Sequence, residues 1–125
     1  MIRILLSLSI LATVFVVPKA EAASIATCTG KVRGNTLYFY AKGSLIRKSD
    51  GDGYVKINNR VVARFDGDSA RINYLSKSFS IRNDRGDFVS GKVNSFATGA
   101  STLTRMELPG EGIRLVNVPV NCSVK

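Results

Sequence analysis

Apolar and polar residues alternate one for one through most of this chain, in short runs that Gly, Asn, Asp and Ser interrupt. Val55 and Ile57 share one side, with Tyr54 and Lys56 opposite. Val61, Ala63 and Phe65 oppose Arg60 and Arg64, and Ala70, Ile72 and Tyr74 oppose Arg71 and Asn73. Phe79 and Ile81 alternate with Ser78, Ser80 and Arg82, and Val89, Gly91 and Val93 fall on a common face. A period of two belongs to a pleated strand, whose successive side chains point to opposite faces. No stretch from residue 23 onward carries a helical period, so the sequence dictates an all-β fold.

The remaining segments fit that reading. Cys28 falls in a first strand over 26–32, and Leu37 to Ala41 is apolar on both sides, which predicts a strand covered on both. Asn58-Asn59 has the composition of a two-residue type I′ turn, because Asn tolerates positive φ. Asp66-Gly67-Asp68, Ser76-Lys77, Asn83-Asp84-Arg85-Gly86 and Pro109-Gly110-Glu111-Gly112 read as further turns. Parity changes between Leu103 and Met106, which predicts a bulge in the strand 102–108. The last strand, 113–124, aligns Val116, Val118, Val120, Cys122 and Val124 on one face. Pro119 inside it has no N–H, so pairing should break there or the strand should lie at an edge. The expectation is eight or nine short antiparallel strands in meander order.

The N-terminus sets the compartment. Arg3 precedes an uncharged apolar run from Ile4 to Val17, Pro18-Lys19 ends it, and Ala20-Glu21-Ala22 offers a small-x-small cleavage site. This is the pattern of a secretory signal peptide, residues 1–22, leaving one all-β domain over residues 23–125. The run is too short to span a hydrocarbon core of about 30 Å comfortably. The chain is therefore read as exported, periplasmic or secreted. In an oxidising compartment its two cysteines, Cys28 and Cys122, read as a disulfide. That bond would close nearly the whole domain, worth roughly 4–5 kcal/mol in chain entropy. A lipid anchor on Cys28 is the weaker reading, because Ile25-Ala26-Thr27 matches a lipobox only loosely. A bond between the first and last strands requires them to be neighbours, as they are at the seam of an up-and-down barrel. A small antiparallel barrel is thus expected ahead of the alternative, a β-sandwich.

Composition narrows the chemistry. Histidine is absent, which removes Ser-His-Asp and Cys-His catalysis and ordinary zinc or copper sites. The net charge is +9; residues 1–22 hold two of the cations and one of the anions, so the exported domain carries +8. Such a charge attracts anions over a Debye length of about 8 Å at physiological salt. Strand alternation sends Lys56, Arg60, Arg64, Arg71, Arg82 and Lys92 to the polar face, a candidate anion-binding surface if the strands are adjacent.

Other motifs carry competing meanings. Asp50-Gly51-Asp52-Gly53 and Asp66-Gly67-Asp68 make Asp50, Asp52, Asp66 and Asp68 weak calcium candidates, although Asp and Gly are also turn formers and no EF-hand pattern is present. Asp66 and Asp68 are also the pair that a small hydrolase would need. Arg85-Gly86-Asp87 matches an integrin tripeptide, which three residues do often by chance. Tyr38, Phe39 and Tyr40 among Lys31, Arg33 and Lys42 could stack bases, but a core strand accounts for them equally well, and nucleic acid is the weaker partner. The leading expectation is a non-enzymatic exported binding module without cofactor, whose basic face holds anionic lipid, polysaccharide or another anionic polymer. The alternative is a protein-interaction module, an inhibitor or assembly subunit, working through a loop or strand edge.

Overall fold

Period-two alternation resolves into eight strands in the computed structural model, which describes residues 23–44, 50–93 and 101–125. They are β1 (Ala23–Val32), β2 (Asn35–Ser44), β3 (Gly51–Ile57), β4 (Arg60–Asn73), β5 (Ser78–Arg82), β6 (Phe88–Val93), β7 (Ser101–Leu108) and β8 (Ile113–Val124). Each pairs antiparallel with the next, and β8 returns to β1 to close a barrel. The segment read above as a signal peptide, residues 1–22, lies outside the described residues. No helix among the described residues is long and apolar enough to cross a membrane.

The barrel closes as the cysteines require. Cys28 and Cys122 are register partners across β1 and β8 and form a disulfide, their Cα atoms 4.0 Å apart. Cys28 is committed to that bond, so the lipid-anchor reading fails. Beside it, Ile25 and Lys125 exchange both backbone hydrogen bonds at 2.9 Å. Inside the barrel lie Leu37, Phe39, Val55, Phe65, Ile72, Phe79, Ile81, Leu103, Met106 and Leu108, all buried. Phe39 stacks on Phe79 with ring centroids 5.3 Å apart. Apolar side chains inward with arginines and serines outward is the reverse of a barrel built to face lipid.

Turn chemistry held where the φ angles were local. Asn58 and Asn59 adopt φ of 51° and 68°, as a type I′ turn demands. The 3-10 turn Pro109–Glu111 ends at Gly112, φ 66°. The parity change in β7 is a bulge, since Ser90 pairs with Arg105 but Gly91 with Leu103.

Five expectations are corrected. Asp66-Gly67-Asp68 does not turn the chain. Gly67, φ 65°, makes a bulge within one continuous strand, whose first part pairs with β3 and whose second part pairs with β5. A second bulge shifts register between Val55 and Lys56, so Val61 turns outward beside Lys56 and Val62 packs on the core instead. In β8, Asn117 sits at φ 52° and parity flips there, which buries Leu115 and leaves Val116 57% exposed. Finally, β2 is covered only on its inner face, and Tyr74 leaves the interior for the β4–β5 turn, 42% exposed. Pro119 behaves as expected, because β8 pairs with β1 only over Asn121–Val124.

Candidate functional site

The outer wall of β4–β7 gathers cations by register. Arg71 stands opposite Ser80, Ser80 opposite Ser90, and Ser90 opposite Arg105, one outward row across four strands. The adjoining row runs Ser69, Arg82, Phe88, Glu107, Arg114. Two residues farther along β6, Lys92 stands between Ser78 and Thr102. Strand pleating puts these side chains on one face without any long-range design, since registers are fixed by the apolar residues inside.

Contacts within the face order it. The Arg82 guanidinium lies 4.8 Å from the centre of the Phe88 ring, and that of Arg105 lies 5.8 Å from it. Such cation–π contacts hold guanidinium groups flat while leaving their N–H edges free. Arg105 donates to Glu107 from Nε at 2.9 Å, and Arg114 Nε approaches the same carboxylate at 3.6 Å. Four arginines therefore face one carboxylate, and neither Arg71 nor Arg82 has an ion-pair partner among the described residues. Between them runs a shallow groove of about 360 Å³, lined by Ser69, Ala70, Arg71, Ser80, Ile81, Arg82 and Phe88. Two guanidinium forks flanking serine hydroxyls can grip a phosphate, sulfate or carboxylate by charge-assisted hydrogen bonds.

The six cations chosen from sequence do not share one surface. Arg71, Arg82 and Lys92 do. Lys56 and Arg64 lie on a second face, around tyrosines. Arg60 is turned by the Val61–Val62 bulge to the open end of the barrel, where it pairs with Glu111 at 3.3 Å. Sequence reasoning missed Arg105, Arg114 and Phe88. The parity change in β7 was the signal for Arg105, since it sends that side chain outward.

The second face is an aromatic one. Phe39 is interior, but Tyr38, Tyr40 and Tyr54 pack outside, with Tyr54 centred 6.0 Å from Tyr38 and 5.5 Å from Tyr40. Lys56 Nζ lies 5.5 Å from the Tyr54 ring centre. Tyr38 is pushed above the ordinary tyrosine value of 10.0, first by burial and then by the charge and hydrogen bond of Tyr54.

The acidic motifs are used locally. The two Asp-Gly-Asp segments meet across β3 and β4, where Gly67 N–H donates to Asp52 at 2.9 Å and Asp66 N–H to Asp68 at 2.7 Å. No group of three acidic or sulfur ligands suited to a metal ion occurs among the described residues. Asp66 and Asp68 share one outward bulge and do not face each other across a cleft. Asp87 of the Arg85-Gly86-Asp87 tripeptide is buried and accepts a hydrogen bond from Asn83 Nδ2 at 2.8 Å, so the tripeptide is not displayed as a unit.

Neither a protein-family model, nor a curated protein, nor a solved structure matches the chain.

Proposed function

We propose that this is an exported, non-enzymatic binding module whose β4–β7 outer face holds anionic polymers or lipid headgroups of the cell envelope or its surroundings. One observation carries the reading: Arg71 and Arg82, without ion-pair partners among the described residues, flank a serine-lined groove, with Arg105 ordered beside them on Phe88. The disulfide and the leader-like N-terminal sequence support an oxidising, exported setting. The groove favours repeated phosphate, sulfate or carboxylate groups over a single neutral ligand, because its affinity comes from charge and its walls are shallow.

The deciding experiment titrates salt with the oxidised chain from Ala23 against cell-wall sacculi, anionic and neutral vesicles, and nucleic acid. Retention of one anionic class at physiological salt is expected. Replacing Arg71, Arg82 and Arg105 by Ser should weaken it roughly a hundredfold or more, as the loss of charged hydrogen bonds implies. The pair Lys56→Ser/Arg64→Ser, on the tyrosine face, should change it far less. Binding that is equal for every polyanion and vanishes by physiological salt, or that survives the triple replacement, overturns the proposal.

A further inference from the structure

Pairing between β1 and β8 holds at one end of the barrel and lapses towards the other. Near the termini β1 and β8 are fastened by four register pairs, the disulfide and the Ile25–Lys125 bonds. Beyond Thr29 and Asn121 that ladder stops. Pro119 offers no N–H there, and Asn117 kinks β8 with its left-handed backbone. From this point Gly30–Val32 pairs only with β2 and Ile113–Val120 only with β7.

A half-open cavity of about 450 Å³ occupies this mouth. Its wall is aliphatic: Val32, Leu37, Ile57, Val62, Ile113 and Leu115. Leu37 and Leu115 are buried, whereas Val32, Ile57, Val62 and Ile113 pack on the core yet stay partly open. The rim is cationic, with Arg33, Arg60 and Arg114 against Glu111, which Arg60 engages. The rim is also held in shape, since Asn58 accepts from Thr36 N–H and donates to Asn35 Oδ1, both at 2.9 Å. An eight-stranded barrel has room for its own side chains or for one small ligand, and this volume lies within the usual range of ligand pockets.

We infer that this mouth is a second binding site, taking the aliphatic tail of a free single-chain amphiphile while Arg33 and Arg114 hold its anionic head. The buried residues of the lining, Leu37 and Leu115, are aliphatic and its polar side chains are exposed, which suits a ligand whose inserted part is hydrocarbon. The excess of arginine at the rim fixes the sign of the head. Arg114 ends the outer row beside Glu107 as well as lining this rim, so the two sites are told apart by Arg33 and the aliphatic wall here and by Arg71 and Arg82 there.

The probe is decanoate, with neutral decyl glucoside as its counterpart. Amide shifts of the unmodified oxidised chain should move saturably with decanoate at Asn58, Gly112, Ile113 and Leu115, and not at Arg71 or Ser80. Decyl glucoside should bind at least tenfold more weakly, and Arg33→Ser/Arg114→Ser should erase most of that difference, as two charged hydrogen bonds imply. Val62→Trp should block the mouth, and because the chain has no other Trp its emission reports whether the variant is folded. Arg71→Ser/Arg82→Ser should leave decanoate binding intact, so failure of the outer-face reading and failure of this one are distinguishable. Shifts scattered over the outer wall, equal affinity for the neutral detergent, or no saturation overturns the inference.

Discussion

At the scale of single residues, several side chains are fixed by what lies across the pleat. A Cβ on Gly53 would run into the Tyr40 carbonyl oxygen and come within 2.8 Å of Ala41 Cα, both backbone atoms that cannot rotate away. Gly67 has open space around it, but its φ of 65° is strained for any L side chain. Gly53→Ala should therefore cost about 3 kcal/mol as overpacking, and Gly67→Ala only about 1 kcal/mol as backbone strain. Urea midpoints of the two variants test that ordering. Asn83 is the other such residue. Its buried amide donates to Arg64 O and Asp87 Oδ2 and accepts from the N–H groups of Arg85 and Asp87. Asn83→Ala would leave those partners unmatched and should lose about 2–3 kcal/mol. On the outside, Tyr38 is the group to titrate. Because its proton is held more tightly in the fold, its contribution to stability is full below pH 10 and fades as pH rises through the raised value. Tyr54→Phe should bring the Tyr38 titration partway back towards 10.0, since burial, the larger cause, remains. The chemical shift of the Tyr38 ring followed through high pH measures it.

At the scale of elements, alternation was legible and bulges mostly were not. Tyr54 to Ile57, Phe79 to Ile81 and Phe88 to Val93 point as their sequences say, because each is short and the extra residue of any bulge opposite them lies on the partner strand, β4 or β7. The longest strands, β4 and β8, defeat that reading. In β4 the bulges at Val61–Val62 and Gly67 reset parity, so Arg60, Arg64 and Arg71 end in three different places on the surface. A bulge is a property of two strands at once: it depends on how many partner residues oppose a segment, which one strand's sequence does not contain. Only in β7 did the apolar spacing itself betray the shift. For β8 the consequence is measurable. Period-two counting treats Val116 and Val118 alike, but the Asn117 kink exposes the first and packs the second on the core. Val116→Ser should change stability by less than about 0.5 kcal/mol. Val118→Ser should lose at least about 1 kcal/mol, because it removes packed apolar surface and sets a hydroxyl there. Equal midpoints for the two variants in urea would mean that β8 keeps its parity.

At the scale of the whole molecule, the meander order makes the seam special. Every other strand pair is joined by its own connection, but β1 and β8 meet only because the chain has come full circle, the two cysteines being 94 positions apart in sequence. Closing so long a loop is the least favourable step for an unfolded chain, and the disulfide removes most of that entropy. The ladder it clamps is short, four register pairs and the Ile25–Lys125 bonds, because Pro119 and Asn117 deny it the rest of β8. The same lapse in pairing beside the mouth thus makes the barrel depend on one covalent bond. Cys28→Ala/Cys122→Ala should lose about 4–5 kcal/mol. The loss should not be uniform. Native-state hydrogen exchange should quicken first at Ile25, Thr27, Ser123 and Lys125, while Phe79, Ile81 and Val89, in ladders joined by short turns, should exchange only with global unfolding. Should the seam amides of the disulfide-free protein instead exchange together with the β5–β6 core, the barrel closes by packing alone, and the disulfide acts only on the unfolded chain.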